Sequence, residues 1–432
     1  MINTVACLSV VLMTAGLRPA RGQQSLENAD TLFKAGQFAE AERAYVQVPP
    51  GDPGYFRAVV RLGYLALLSN KLEEARQRLT RALEVKPDDR AALSLMAEAW
   101  YRSDDFEQAG RLFKAMGREA RAAQLQSFKD VSPCRVEGRS PISILKFVVT
   151  DPLPVVEVRI NQGKKVNVFI DTGGAELIVD TELAQEVGLP VFGSETGTFA
   201  GGKQSGVEFG RVEALALGDF TVRDLPVQVM PVRRFSGPVF GGLRVDGIIG
   251  TVLLYHFLPT LDYPGGRLLL RRRTRESAAA LEEELHGERR ITVPFWMAGD
   301  HYMVGWGAVN KGRPLLFFVD TGLAGGGFTC PESTIRDAGI ALPKSPAGEG
   351  VGGGGKVSVF PFAVDDLSFG EARQRNVRGL FSGPFPLEDA FGFHIGGLIS
   401  HGFFRSYAVT FDFDRMQIIM AGKAANAAAG IH

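Results

Sequence analysis

The sequence predicts a multidomain α + β protein, in which an N-terminal α-helical solenoid is followed by two mainly β lobes. Three observations carry this. Small and large apolar residues recur with a period of 34 between Gln23 and Gly117, a period typical of stacked helix-turn-helix units. An apolar run ending in Asp-Thr-Gly occurs twice, at Asp171 and at Asp320, and each is followed by a second short apolar run, so each reads as strand, sharp turn, strand. The 52 glycines suit a turn-rich β protein better than an all-helical one. Lys plus Arg equals Asp plus Glu, 48 each, so no global charge field argues for nucleic acid or an anionic membrane.

Taken in order, the chain opens with an apolar run from Val5 to Leu17, shorter than the ~20 residues that span a bilayer. The small-x-small sequence Ala20-Arg21-Gly22 and a polar stretch follow. This predicts a signal peptide over residues 1–22 and a secreted or periplasmic chain with no stable membrane span after cleavage. No Lys or Arg precedes the apolar run, so an uncleaved N-terminal anchor stays open as the alternative. Cys7 falls in this stretch, leaving Cys134 and Cys330, whose pairing the sequence does not decide. The cysteines show no metal-ligand spacing and the six histidines are scattered, so neither a metal nor a cofactor is expected.

Residues 23–120 carry the helical repeat. Ala29, Gly63 and Ala97 share one register, Ala41, Ala75 and Ala109 a second, and Tyr45, Leu79 and Phe113 a third, while Pro53 and Pro87 close the first two units. This pattern resembles the tetratricopeptide repeat, whose small residues let paired helices approach and whose large ones fill between them. The resemblance implies a surface for a protein partner; a brace for the rest of the chain is the other reading, and both stay open. Residues 121–140 lose the period and contain Pro133 and Gly138. They read as a linker, which predicts a helical part that can be removed without unfolding the lobes.

The lobes span 141–275 and 289–423, joined by a charged, helix-prone segment over 276–288 and followed by a tail over 424–432. The run Arg271 to Arg275 reads as a solvated strand end. Each lobe opens with an alternating stretch and continues, after its Asp-Thr-Gly, with a short helix ending in glycine and then a Gly-rich hairpin. Phe235-Ser236-Gly237-Pro238 recurs as Phe381-Ser382-Gly383-Pro384. The distance from Asp171 to Asp262 is 91 residues and that from Asp320 to Asp412 is 92. Duplication with fusion accounts for this, giving a monomer with pseudo-two-fold lobes.

Two carboxylates brought face to face at such turns cannot both ionise comfortably and share a proton, so one can act as base while the other acts as acid. At these residues the chain resembles the aspartic peptidases, and in particular the retropepsin-like family. There each lobe supplies one Asp-Thr-Gly and a later apolar-apolar-Gly segment, matched here by Val245–Gly250 and, with Ser400 in place of the glycine, by Gly397–Ser400. The resemblance implies catalytic Asp171 and Asp320, support from Thr172, Gly173, Thr321 and Gly322, and substrate flaps at Ala200, Gly201 and Gly202 and at Gly353 and Gly354. It implies an endopeptidase acting on peptide or protein substrates. His394 and His401, beside the second segment, read as structural. A catalytically weak peptide-binding protein of the same fold is kept open by Ser400 and by Gly174 and Leu323 after the turns. A scaffold acting through the helical repeats is a third reading.

Overall fold

The computed structural model describes residues 21–199 and 202–422. Most of the expected signal segment, with Cys7, the flap residues Ala200 and Gly201, and the tail lie outside the described residues. The helical part comprises α1 (Arg21–Lys34), α2 (Phe38–Val46), α3 (Tyr55–Leu68), α4 (Leu72–Val85), α5 (Arg90–Tyr101), α6 (Phe106–Ala115) and α7 (Glu119–Gln126). The register positions explain the pairing. Ala29, Ala41, Ala75, Ala97 and Ala109 are fully buried, and a Cβ at Gly63 would stand 2.7 Å from Leu79 of the partner helix. Asp89 and Asp105 cap α5 and α6 by accepting from the N–H groups of Ala92 and Gln108. No helix among the described residues is long and apolar enough to cross a membrane.

The first lobe contains β1 (Arg135–Glu137), β2 (Ile142–Val149), β3 (Val155–Ile160), β4 (Lys165–Ile170), β5 (Leu177–Asp180), α8 (Thr181–Glu186), β6 (Val191–Phe199), β7 (Lys203–Leu217), β8 (Phe220–Met230), α9 (Val232–Val239), β9 (Gly247–Ile249), α10 (Thr251–Tyr255), β10 (Phe257–Asp262) and β11 (Arg267–Arg272). After α11 (Arg275–Glu284), the second contains β12 (Arg290–Ala298), β13 (Tyr302–Val309), β14 (Leu315–Val319), β15 (Phe328–Thr329), α12 (Glu332–Asp337), β16 (Gly348–Gly352), β17 (Gly355–Phe369), β18 (Ala372–Phe381), α13 (Leu387–Phe391), β19 (Gly397–Ile399), α14 (His401–Phe404), β20 (Ala408–Asp412) and β21 (Gln417–Ala421). Strand pairing is equivalent in the two lobes. β4 lies parallel to β9 as β14 does to β19, β5 is antiparallel to β9 as β15 is to β19, and β5 is parallel to β8 as β15 is to β18.

The lobes meet in a six-stranded antiparallel layer, β2–β11–β10–β20–β21–β12. Thr260 pairs with Thr410 across its centre, their hydroxyls 2.7 Å apart. The segment between the lobes is not a free tether: Leu281 of α11 packs with Leu258 and Ile419 of that layer. Nor is the arginine run solvated along its length as expected, for only Thr274 and Arg275 at its end are exposed. Arg271 is buried, donating to Thr260 and paired with Glu284, while Arg273 pairs with Asp414.

The helical part is packed on both lobes, contrary to the expectation of a separable module. α7 extends the array into the expected linker because Gln124 is buried against the first lobe, its side chain donating to the carbonyls of Gly210 (2.7 Å) and Val227 (2.9 Å). Arg102 donates to Leu67 O within the array and to Met297 O and Gly299 O of the second lobe. Phe393 of the second lobe stands against Phe33, Phe38 and Tyr64 of α1 to α3, fixed by His394 N–H to Lys34 O and Tyr64 OH to Phe391 O. One face of the repeats is thus covered by the chain's own second lobe. Cys134 and Cys330 are both buried and unpaired.

Candidate active site

β14 is wholly apolar and β4 ends in the buried run Val168–Ile170, and the two lead into the Asp-Thr-Gly turns, which face each other at the lobe boundary. Asp171 N–H donates to Ile249 O and Asp320 N–H to Ile399 O, each at 3.0 Å, so each turn is held by its own lobe's later apolar segment. The threonines then lock the turns to one another. Thr172 Oγ1 donates to Val319 O (2.8 Å) and accepts from Thr321 N–H (3.0 Å). Thr321 Oγ1 donates to Ile170 O (3.3 Å) and accepts from Thr172 N–H (3.1 Å). Both side chains are buried, so every polar group of this crossed set is satisfied.

The glycines set the approach of the carboxyls. A Cβ at Gly173 would lie 2.4 Å from Asp320 Cγ, and one at Gly322 would lie 2.2 Å from Asp171 Cγ. Each carboxyl therefore rests on the other lobe's turn, where no side chain fits. Gly173 N–H donates to Asp171 Oδ1 at 2.8 Å, and Gly322 N–H to Asp320 Oδ1 at 2.7 Å. Burial raises the pKa of Asp171, against the hydrogen bond shared with Asp320 and the N–H groups of Gly173 and Gly174. Burial, the charge of Asp171 and their shared hydrogen bond hold Asp320 well above the carboxylate range. The pair thus favours a state with one shared proton.

Of the flap residues, Gly202 lies at the end of the β6–β7 hairpin with φ of 70°, a conformation that favours glycine. Gly353 and Gly354 form the tip of the β16–β17 hairpin, between paired Gly352 and Gly355. The two hairpins meet: a Cβ at Gly353 would be 2.6 Å from the ring of Phe199, and one at Gly354 would be 2.4 Å from Lys203 Cβ. Phe199 and Ala324, the latter four residues beyond Asp320, both pack against the same first-lobe cluster around Phe169 and Ile248.

Ser400, which departs from the family pattern, is accommodated without disturbing the packing. It is fully buried, and its hydroxyl accepts from Leu323 N–H at 3.1 Å. At the equivalent Gly250 a Cβ would meet Ala175 O at 2.3 Å, so the side chain fits only in the second lobe. His401 is buried against Tyr263 and reaches Asp151, and His394 pairs with Glu388; both serve packing. Sequence reasoning missed Glu176, five residues past Asp171. This buried carboxylate accepts from Tyr101 OH and pairs with Arg121, both at 2.5 Å. Its signal is a lone acidic residue between Ala175 and the apolar Leu177–Val179.

Residues 156–253 match the family described as Aspartyl protease, and residues 66–130 match Tetratricopeptide repeat. The first match spans Asp171 and the segment ending at Gly250, and it stops short of Asp320. No curated protein matches the chain. This chain joins tetratricopeptide repeats to a retropepsin-like aspartyl-protease domain.

Proposed function

We propose that the chain is a single-chain aspartic endopeptidase in which Asp171 and Asp320 act together on a water molecule. The observation that carries this is the face-to-face approach of the two carboxyls, each resting against the glycine of the opposite turn. The ionised carboxyl takes a proton from water as its oxygen attacks the peptide carbonyl carbon, and the protonated carboxyl gives its proton to the carbonyl oxygen. Collapse of the tetrahedral diol then breaks the C–N bond, with a proton passing to the leaving nitrogen. An extended substrate would lie between the dyad and the two hairpins, pairing with their strands through its backbone. Both halves of the site belong to one chain, so the monomer is the working unit, and the expected leader places it in the periplasm or outside the cell.

Cleavage of a mixed peptide library, followed by mass spectrometry, tests this. The wild type is expected to cleave internal peptide bonds, with the rate falling at least about 100-fold in both Asp171→Asn and Asp320→Asn, the scale of lost acid-base catalysis. Turnover persisting in both variants would exclude the dyad. Peptide binding without turnover by the wild type would favour a binding protein of this fold.

A further inference from the structure

Outside the peptidase site, three side chains with metal-ligating atoms converge where the repeat array meets the first lobe. Asp104 lies in the turn between α5 and α6, Cys134 just before β1, and His256 between α10 and β10. Their ligand atoms all lie within 4.8 Å of one another. His256 Nδ1 is 3.7 Å from Asp104 Oδ2, too long for a hydrogen bond. Among the described residues no hydrogen bond engages any of the three side chains. Cys134 is held in the left-handed region, with φ of 55°, by its N–H donating to Asp224 O, so the chain fixes where this thiol points.

We propose that Asp104, Cys134 and His256 bind a zinc ion that ties the repeat array to the first lobe. Thiolate, imidazole and carboxylate are the donors zinc takes, and three protein ligands leave a fourth tetrahedral position for water. The site has access for both, since the Asp104 side chain is 37 % exposed while Cys134 is 5 % exposed. The neighbouring cation is Arg273, which already donates to Tyr255 O and pairs with Asp414. A zinc ion with one thiolate and one carboxylate is neutral overall and adds no net charge beside that guanidinium. The ligands are separated by 30 and 122 residues, so no motif of close spacing announces them.

The test uses the purified full chain, stripped with chelator and titrated with Co(II) and then Zn(II). One equivalent of Co(II) is expected to give thiolate-to-cobalt charge-transfer absorbance, displaced by Zn(II). That absorbance is expected to vanish in Cys134→Ser and to persist in Cys330→Ser. Asp104→Asn and His256→Ala are expected to weaken binding at least about tenfold, a loss that even outer-shell changes cause. Asp104→Asn alters a half-buried turn residue with a side chain of the same shape, and circular dichroism verifies that the fold is kept, so its affinity decides the matter if Cys134→Ser is unstable. Absence of stoichiometric binding by the wild type would overturn the proposal, as would binding unchanged in Asp104→Asn and His256→Ala.

Discussion

Asp320 couples the chemistry of the site to the stability of the chain. Burial and the charge of Asp171 raise its folded pKa above the unfolded value of about 3.9. Its proton is therefore held more tightly in the folded state, and the stabilisation is fully present below the unfolded pKa and lost as pH rises through the raised one. Asp320→Asn removes this titration, so calorimetry is expected to show its Tm several degrees above wild type at pH 7 to 8, with no gain near pH 3. Equal midpoints across that range would contradict the raised pKa. The residue after each turn tunes the same dyad. Gly174 and Leu323 offer no side-chain donor, and a Cβ at Gly174 would have Asp171 O, at 3.4 Å, as its near neighbour. Gly174→Ser is thus sterically mild. Its hydroxyl is expected to favour the charged carboxyl and move the alkaline limb of the kcat/KM profile downward, and an unmoved limb would show that it does not reach the dyad. The Asp-Thr-Gly residues were legible because a tight turn after an apolar strand needs those residue types in that order. How Ser400 is accommodated was not, because that depends on its buried hydrogen bond with Leu323 N–H. Asn161 and Asn310 were also silent, yet each accepts two backbone N–H groups across its lobe, from Glu213 and Ala214 and from Asp365 and Asp366.

Among the elements, α5 and α7 carry a role that hydrophobic period alone does not express. Tyr101 ends α5, Arg121 lies in α7, and both hold Glu176 in the stretch between the first Asp-Thr-Gly and β5. That stretch is also fixed from below, where Thr251 at the start of α10 donates through N–H and hydroxyl to Gly174 O. Arg121→Met leaves a buried carboxylate without its cation and is expected to cost about 3 to 5 kcal/mol in denaturant unfolding. Adding Glu176→Leu should recover most of that loss, since the unpaired charge is then gone. A single-variant cost under about 1 kcal/mol would mean that the pair is solvated. Strand and hairpin order was readable because polarity alternates and glycine marks the turns. The tetrapeptide Phe-Ser-Gly-Pro was misleading as a conformational guide: its first copy lies within α9, while its second leaves the end of β18. Local sequence is the same in both places and the surrounding lobe decides.

For the whole molecule, the repeats are built into the same cores as the lobes. Tyr101, Phe106 and Phe113 share a cluster with the first lobe, and Phe33 and Phe38 share one with Trp296, Phe391 and Phe393 of the second. Deleting residues 23–117 would expose these aromatic side chains, so the truncated chain is expected to aggregate or to lose cooperative unfolding in calorimetry. A sharp transition like that of the full chain would show that the lobes fold alone. The linker reading failed because Pro133 and Gly138 report local chain breaks and say nothing about the face that α7 buries. Having both lobes in one chain has a further consequence at the centre of the shared layer. Two hydroxyls meeting on a two-fold axis cannot both donate, and here Arg271 N–H donates to Thr260 Oγ1 (3.0 Å) alone of the two, so the hydroxyls of Thr260 and Thr410 are not equivalent. The strand position equivalent to Arg271 in the second lobe is Ala421. Two copies of one lobe would have to place the same residue on both sides and would present an N-to-C polypeptide with two equivalent orientations. With Gly250 opposed to Ser400 and Gly174 to Leu323, the two halves of the cleft are not interchangeable, and under the proposed function a peptide is expected to be held in one direction in preference to the other.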